Sequence, residues 1–174
     1  MRGRVMRDAQ SFDEFYRSTS RRMLRYGYAV AGDYTEAQDL VQEAFARAWR
    51  QWGKLVSHPA PEAWLRLVVA RLATDRWRRL HGLRGVLSRN GPPPPVPAPT
   101  EDSVLLVGAL RQLPAAQRQA LALHYLFDMS VAEIARETGV PTGTVKSWLS
   151  RGRARLAALL PDYSAAEMEA NDVA

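Results

Sequence analysis

The chain has 174 residues and 47% apolar content, enough for one ordinary domain or two small ones with packed cores. Its formal charge of +6 suits an anionic partner, although many basic proteins never touch nucleic acid. The absence of cysteine excludes a disulfide framework, thiol catalysis and Cys-ligated zinc, and no apolar run approaches the ~20 residues of a membrane span.

The basic stretch Met1 to Gln10 is followed by no apolar segment, so no signal peptide is expected and a cytoplasmic protein is. A first helix is expected near Ser11 to Ala31, ended by Gly32. Asp33, with Glu36 three residues on, has the pattern of a capping box for the second. That helix, to about Trp52, carries Leu40, Val41, Ala44, Phe45, Ala48 and Trp49 in one apolar stripe. Pro61 opens a third helix, in the position where proline fits the first turn. Trp64, Leu65, Val68, Leu72 and Trp77 are its apolar positions, and it ends among Arg76, Arg78 and Arg79.

Composition then breaks. From His81 to Ser103 the chain holds Gly82, Gly85, Gly91, the run Pro92 to Pro95, Pro97 and Pro99. Proline lacks an amide hydrogen and cannot continue a helix, so this segment reads as an extended spacer. Beyond it, helices are expected from about Asp102 to Gln112 and from Pro114 to about Phe127. Ser130 and Glu133 form a capping box for a short helix ended by Gly139. Pro141 and Thr142 open a last helix to about Leu160, and the acidic tail beyond Pro161 is expected to fray. No strand-like alternation stands out. The fold class is all-α: two small helical domains, residues 1–81 and 104–162, joined by a Pro/Gly-rich linker, 82–103, and followed by a tail, 163–174.

The last two helices have the marks of a helix-turn-helix. A small residue is needed where the helices cross, a residue tolerating positive φ at the turn, and an apolar anchor on the second helix; Ala135, Gly139 and Val145 fit those roles. Ile134, Val140 and Leu149 complete a small core, with Gly152 and Leu156 also facing inward. The opposite side presents Lys146, Ser147, Ser150, Arg151 and Arg153, all donors suited to phosphates and base edges. A solvated basic hairpin is the plain alternative, and agreement of charge, anchor spacing and turn favours DNA.

The motifs Leu113-Pro114, Gln117-Arg118, Ser130, Ile134-Ala135, Gly143-Thr144-Val145-Lys146-Ser147 and Arg151-Gly152-Arg153-Ala154-Arg155-Leu156 closely resemble region 4 of extracytoplasmic-function (ECF) sigma factors. Asp39-Leu40-Val41-Gln42-Glu43-Ala44-Phe45, Trp64-Leu65, Asp75 and Arg78-Arg79 resemble region 2. The resemblance implies that Thr144, Lys146, Ser147, Ser150, Arg151 and Arg153 read the −35 promoter element. It implies that Arg71, Asp75, Arg76, Arg78 and Arg79 meet the −10 element, and that the 53–60 loop captures a flipped-out base. Asp39, Gln42 and Glu43 fall where the family grips the basic clamp of core RNA polymerase; carboxylates and an amide on a rigid helix suit arginine partners. Promoter DNA and core polymerase are thus the implied partners. An anti-sigma factor is common in the family, and the sequence names none.

Two positions depart from the family. Arg71 replaces a frequent asparagine, exchanging a reader of adenine for a reader of guanine or phosphate. Gly152 replaces the usual alanine, at about 1 kcal/mol in helix propensity, which points to a close backbone approach or a bend. Trp49, Trp52 and Trp77 could stack on bases, but their helical spacing favours core packing. Arg84 and Arg89 could meet nucleic acid from the linker. His58, His81 and His124 have no metal-ligand spacing, and no catalytic constellation, cofactor motif or metal site is expected. The rival readings are a dimeric stand-alone helix-turn-helix regulator and an interaction protein that titrates a partner.

Overall fold

The computed structural model describes residues 2–82 and 100–160, with side chains from 8–79 and 100–160. The proline run, Arg84, Arg89, the His81 side chain and the tail beyond Pro161 lie outside the described residues. The chain divides into two compact units between Pro97 and Ala98. All regular structure among the described residues is helical.

The first unit holds α1 (Arg2–Ala31), α2 (Tyr34–Arg50), α3 (Trp52–Leu55) and α4 (Pro61–Gly82). Helix α1 starts well before the expected Ser11. Gly32, at φ +80°, ends it, and its amide donates to the Tyr28 carbonyl at 2.9 Å. Asp33 then accepts from the Glu36 amide at 2.8 Å, capping α2. Helices α1 and α2 approach closely at Gly27, where a Cβ would stand 2.9 Å from Val41 Cγ2. Met23, Tyr26, Leu40, Val41, Phe45, Leu65 and Val69 are buried between α1, α2 and α4. A bidentate pair from Arg22 to Glu62, at 3.0 and 3.1 Å, ties α1 to the start of α4. The expected 53–60 loop contains part of α3, a single helical turn.

An aromatic cluster seals one end of this unit. Phe12 meets Trp49 and Trp52 edge-on at 5.0 and 5.1 Å, and Phe45 packs against Tyr16 at 4.7 Å. Trp52 is buried, and its indole donates to Ser11 Oγ at 2.8 Å. The expectation of core packing therefore holds for Trp52 and fails for its two companions. Trp49 is 46% exposed and Trp77 55% exposed: each lies four residues after a buried position of its helix, Phe45 and Ala73, but the neighbouring helices do not cover it fully.

The second unit comprises α5 (Glu101–Leu110), α6 (Ala115–Phe127), α7 (Val131–Thr138) and α8 (Thr142–Leu159). Thr100 caps α5, accepting from the Ser103 amide, so the helix begins slightly before the expected Asp102. Asp128, at φ 51°, closes α6. His124 then holds the turn: Nδ1 donates to the Met129 carbonyl at 2.8 Å, since the carbonyl can only accept. Leu110, Leu113, Leu121, Leu123, Ile134, Val145 and Leu149 form the core.

Ser130 and Glu133 make a reciprocal capping box on α7, and the Ser130 hydroxyl and amide hold the Glu133 carboxyl below the usual glutamate range. A carboxyl depressed in the folded state contributes stability that is present above its unfolded pKa and lost as pH falls through the folded one. Acidification below the usual glutamate range should therefore loosen α7. Ser130→Ala removes the hydroxyl and keeps the amide, so it should reduce this pH-dependent component without abolishing it, and loss of the N-cap hydroxyl itself should cost about 1 kcal/mol, read from urea melts at a series of pH values.

Candidate nucleic-acid and partner interfaces

The turn between α7 and α8 is built from the residues that spacing singled out. Gly139 adopts φ +74°, and both its amide and that of Val140 donate to the Ala135 carbonyl, at 2.9 and 3.2 Å. Pro141 caps α8 without a side-chain hydrogen bond, and no acidic residue occupies the first turn. The positive end of an 18-residue helix is thus left open to an anion.

Val145, Leu149 and Gly152 are buried along one side of α8, against Ile134 and Ala135 of α7 and residues of α6. This places Lys146, Ser147, Ser150 and Arg151 on the exposed side. Thr144 and Arg153 sit at the margins and are partly buried. Gly152 has a physical reason. A Cβ there would stand 2.8 Å from Leu121 Cδ1 and 3.5 Å from Leu113 Cδ2. Close approach of α8 to α6 requires the missing side chain, and this offsets the poor helix propensity of glycine.

In the first unit, α2 buries Ala37, Gln38, Leu40, Val41, Ala44, Phe45 and Ala48. Gln42 is exposed on the other side, while Asp39 and Glu43 are partly exposed. Glu43 pairs with Arg47 at 2.7 Å. Along α4, Arg71, Asp75, Arg78 and Arg79 are exposed beside Trp77. Arg76 differs: it lies 3.6 Å from Glu36 and 3.6 Å from Asp39. The structure therefore joins two residues that sequence reasoning placed on separate surfaces. It also adds Glu36, which the sequence marked only as a capping residue.

The family model for sigma-70 region 2 matches residues 15–82, and that for sigma-70 region 4 matches residues 103–156. An RNA polymerase sigma-E factor of Streptomyces coelicolor is 34% identical over 87% of this chain and 86% of its own length. The ECF RNA polymerase sigma factor SigM of Mycobacterium tuberculosis is 32% identical over 90% of this chain and 80% of its own length.

This chain belongs to the ECF sigma factor family.

Among solved structures, the sigma factor RpoE of Bartonella quintana, crystallised with the anti-sigma factor NepR, superposes with a TM-score of 0.62 and 27% identity, covering 85% of this chain and 97% of that one. CnrH, in complex with the cytosolic domain of CnrY, shares the fold at a TM-score of 0.60 and 21% identity, covering 90% of this chain and 96% of that one. As a sigma factor, the protein is a transcription initiation factor that directs core RNA polymerase to promoter DNA. The stand-alone regulator is set aside, because region 2 accompanies the helix-turn-helix. No helix among the described residues is long and apolar enough to cross a membrane.

Proposed function

We propose a division of labour between the two units of this sigma factor. The α2 face of Asp39, Gln42 and Glu43 docks on the basic clamp of core polymerase in the cytoplasm. Arg71, Asp75, Arg76, Arg78 and Arg79 of α4 meet the −10 element and help hold it open. Thr144, Lys146, Ser147, Ser150, Arg151 and Arg153 of α8 read the −35 element from the major groove. Residues 82–103 link the two readers, and the polymerase performs all the chemistry. Tethering on polymerase makes two individually weak DNA contacts effective together.

The observation that carries this reading is the partition of α8. Val145, Leu149 and Gly152 are buried on one side, while Lys146, Ser147, Ser150 and Arg151 project outward behind an open helix N-terminus. An anti-sigma factor is a further partner, supported by the 27%-identical sigma factor crystallised with one. Promoter-specific run-off transcription with purified core polymerase tests the proposal. Operator-like binding by the protein alone, with no specific transcript on any candidate promoter, would defeat it.

Combined Asp39→Asn, Gln42→Ala and Glu43→Gln should weaken core polymerase binding about tenfold to a hundredfold, given ~1.5–3 kcal/mol for a charge-assisted hydrogen bond. Surface plasmon resonance against immobilised core polymerase measures this. Unchanged affinity would move the docking face elsewhere.

A further inference from the structure

Asp39 stands on the proposed polymerase face and Arg76 on the proposed −10 face, yet the two are in contact. Arg76 Nε lies 3.6 Å from Glu36 Oε1, and a terminal nitrogen lies 3.6 Å from Asp39 Oδ2. Glu36 and Asp39 are three residues apart on α2, so their side chains project from neighbouring positions and the guanidinium straddles both. The three side chains are partly exposed, at 32% for Arg76, 19% for Glu36 and 33% for Asp39. Both separations exceed the ~2.7–3.2 Å of a good N–H···O bond, so these are loose ion pairs that a competitor can displace. Arg71, Arg78 and Arg79, on the same helix, are exposed to solvent.

We infer that Arg76 is a gated DNA contact: Glu36 and Asp39 hold it in the free sigma factor, and capture of Asp39 by a basic polymerase surface releases it to a −10 phosphate. The inference rests on the assignment of surfaces proposed above. A guanidinium that faces two carboxylates has its charge neutralised, and the same carboxylates repel an approaching phosphate. A basic clamp that binds Asp39 competes for one of the two anions and leaves Arg76 on Glu36 alone. The DNA phosphate then becomes the better partner. The coupling is reciprocal, so occupation of Arg76 by DNA also makes Asp39 more available to polymerase. In this way the free factor is restrained from nucleic acid until polymerase carries it.

A double-mutant cycle on the full chain tests this. The probe is a short fluorescein-labelled oligothymidylate, read by anisotropy over a series of salt concentrations. Glu36→Gln with Asp39→Asn should tighten binding about fivefold and steepen the log–log salt slope by about 0.7, the increment for one further phosphate contact on a single strand. In an Arg76→Gln background the same two substitutions should give no such gain. This comparison cancels the general effect of deleting two negative charges. Thermal melts of each variant control for folding, and Arg76→Lys should keep part of the gain. An equal gain with and without Arg76 overturns the gate and leaves Arg76 as a pin between α2 and α4. If Arg71→Gln, Arg78→Gln and Arg79→Gln together leave oligothymidylate binding unchanged in every background, the −10 assignment of α4 fails instead.

Discussion

Replacing Lys146 and Arg151 with alanine is expected to reduce promoter-directed transcription about a hundredfold or more while leaving core polymerase binding intact. Both side chains leave the exposed side of α8, Lys146 one residue after the buried anchor Val145 and Arg151 two residues after the buried anchor Leu149, so that they point away from the core. Neither fills the core, so the double variant should melt within about 0.5 kcal/mol of the parent for each change. The loss should fall on DNA. A side chain that reads a base edge discriminates by ~1–3 kcal/mol, and a phosphate contact adds to affinity without regard to sequence. Comparing specific and random duplexes separates those roles. A change confined to the specific duplex marks a base reader, whereas a uniform loss with a shallower salt dependence marks a phosphate contact. Loss of core polymerase binding in this variant would overturn the division between the two units.

Much of the fold was legible because its signals are local. Ser130 with Glu133, Gly139 at positive φ and Pro141 before α8 are caps and turns whose chemistry acts within a few residues. Stripe spacing likewise separated Leu40, Val41 and Phe45 from Gln42 on α2. Side-chain exposure was harder, because periodicity specifies an angle around the helix and not the extent of the neighbour that covers it. Trp49 and Trp77 follow apolar spacing and remain about half exposed, while Trp52 is buried by Phe12 and Phe15 from α1. The start of α5 had a local signal in Thr100 and Ser103 that the proline-rich composition around it obscured. Arg76 was not legible in kind. Its partners Glu36 and Asp39 lie on another helix, and only the packing of α4 on α2 brings them within reach. Gly152 belongs to the same class: its reason is Leu121, on α6.

Ile134→Ala should be the most damaging single truncation in the helix-turn-helix, and it should abolish −35 recognition by a different route. Ile134 is fully buried, and its helix meets α8 beside Val145 and Leu149. Removing a buried isoleucine down to alanine costs ~2–5 kcal/mol, from lost transfer energy and the cavity left behind. A unit of this size, with helices from Glu101 to Leu159, is worth only roughly 3–9 kcal/mol at 0.05–0.15 kcal/mol per residue. The substitution therefore consumes much of its stability and should lower its melting temperature by about 10 °C or more. Hydrogen exchange should show α7 and α8 losing protection, because their contact is the interface that Ile134 fills. Both this variant and the Lys146 and Arg151 double variant should fail at the −35 element. The melting curve tells them apart: unchanged where donors alone are lost, and shifted downward where the platform that aims those donors has collapsed. A normal melt for Ile134→Ala would mean that α8 is held by α6 alone, through the Gly152 and Leu121 contact, and that α7 contributes little to aiming it.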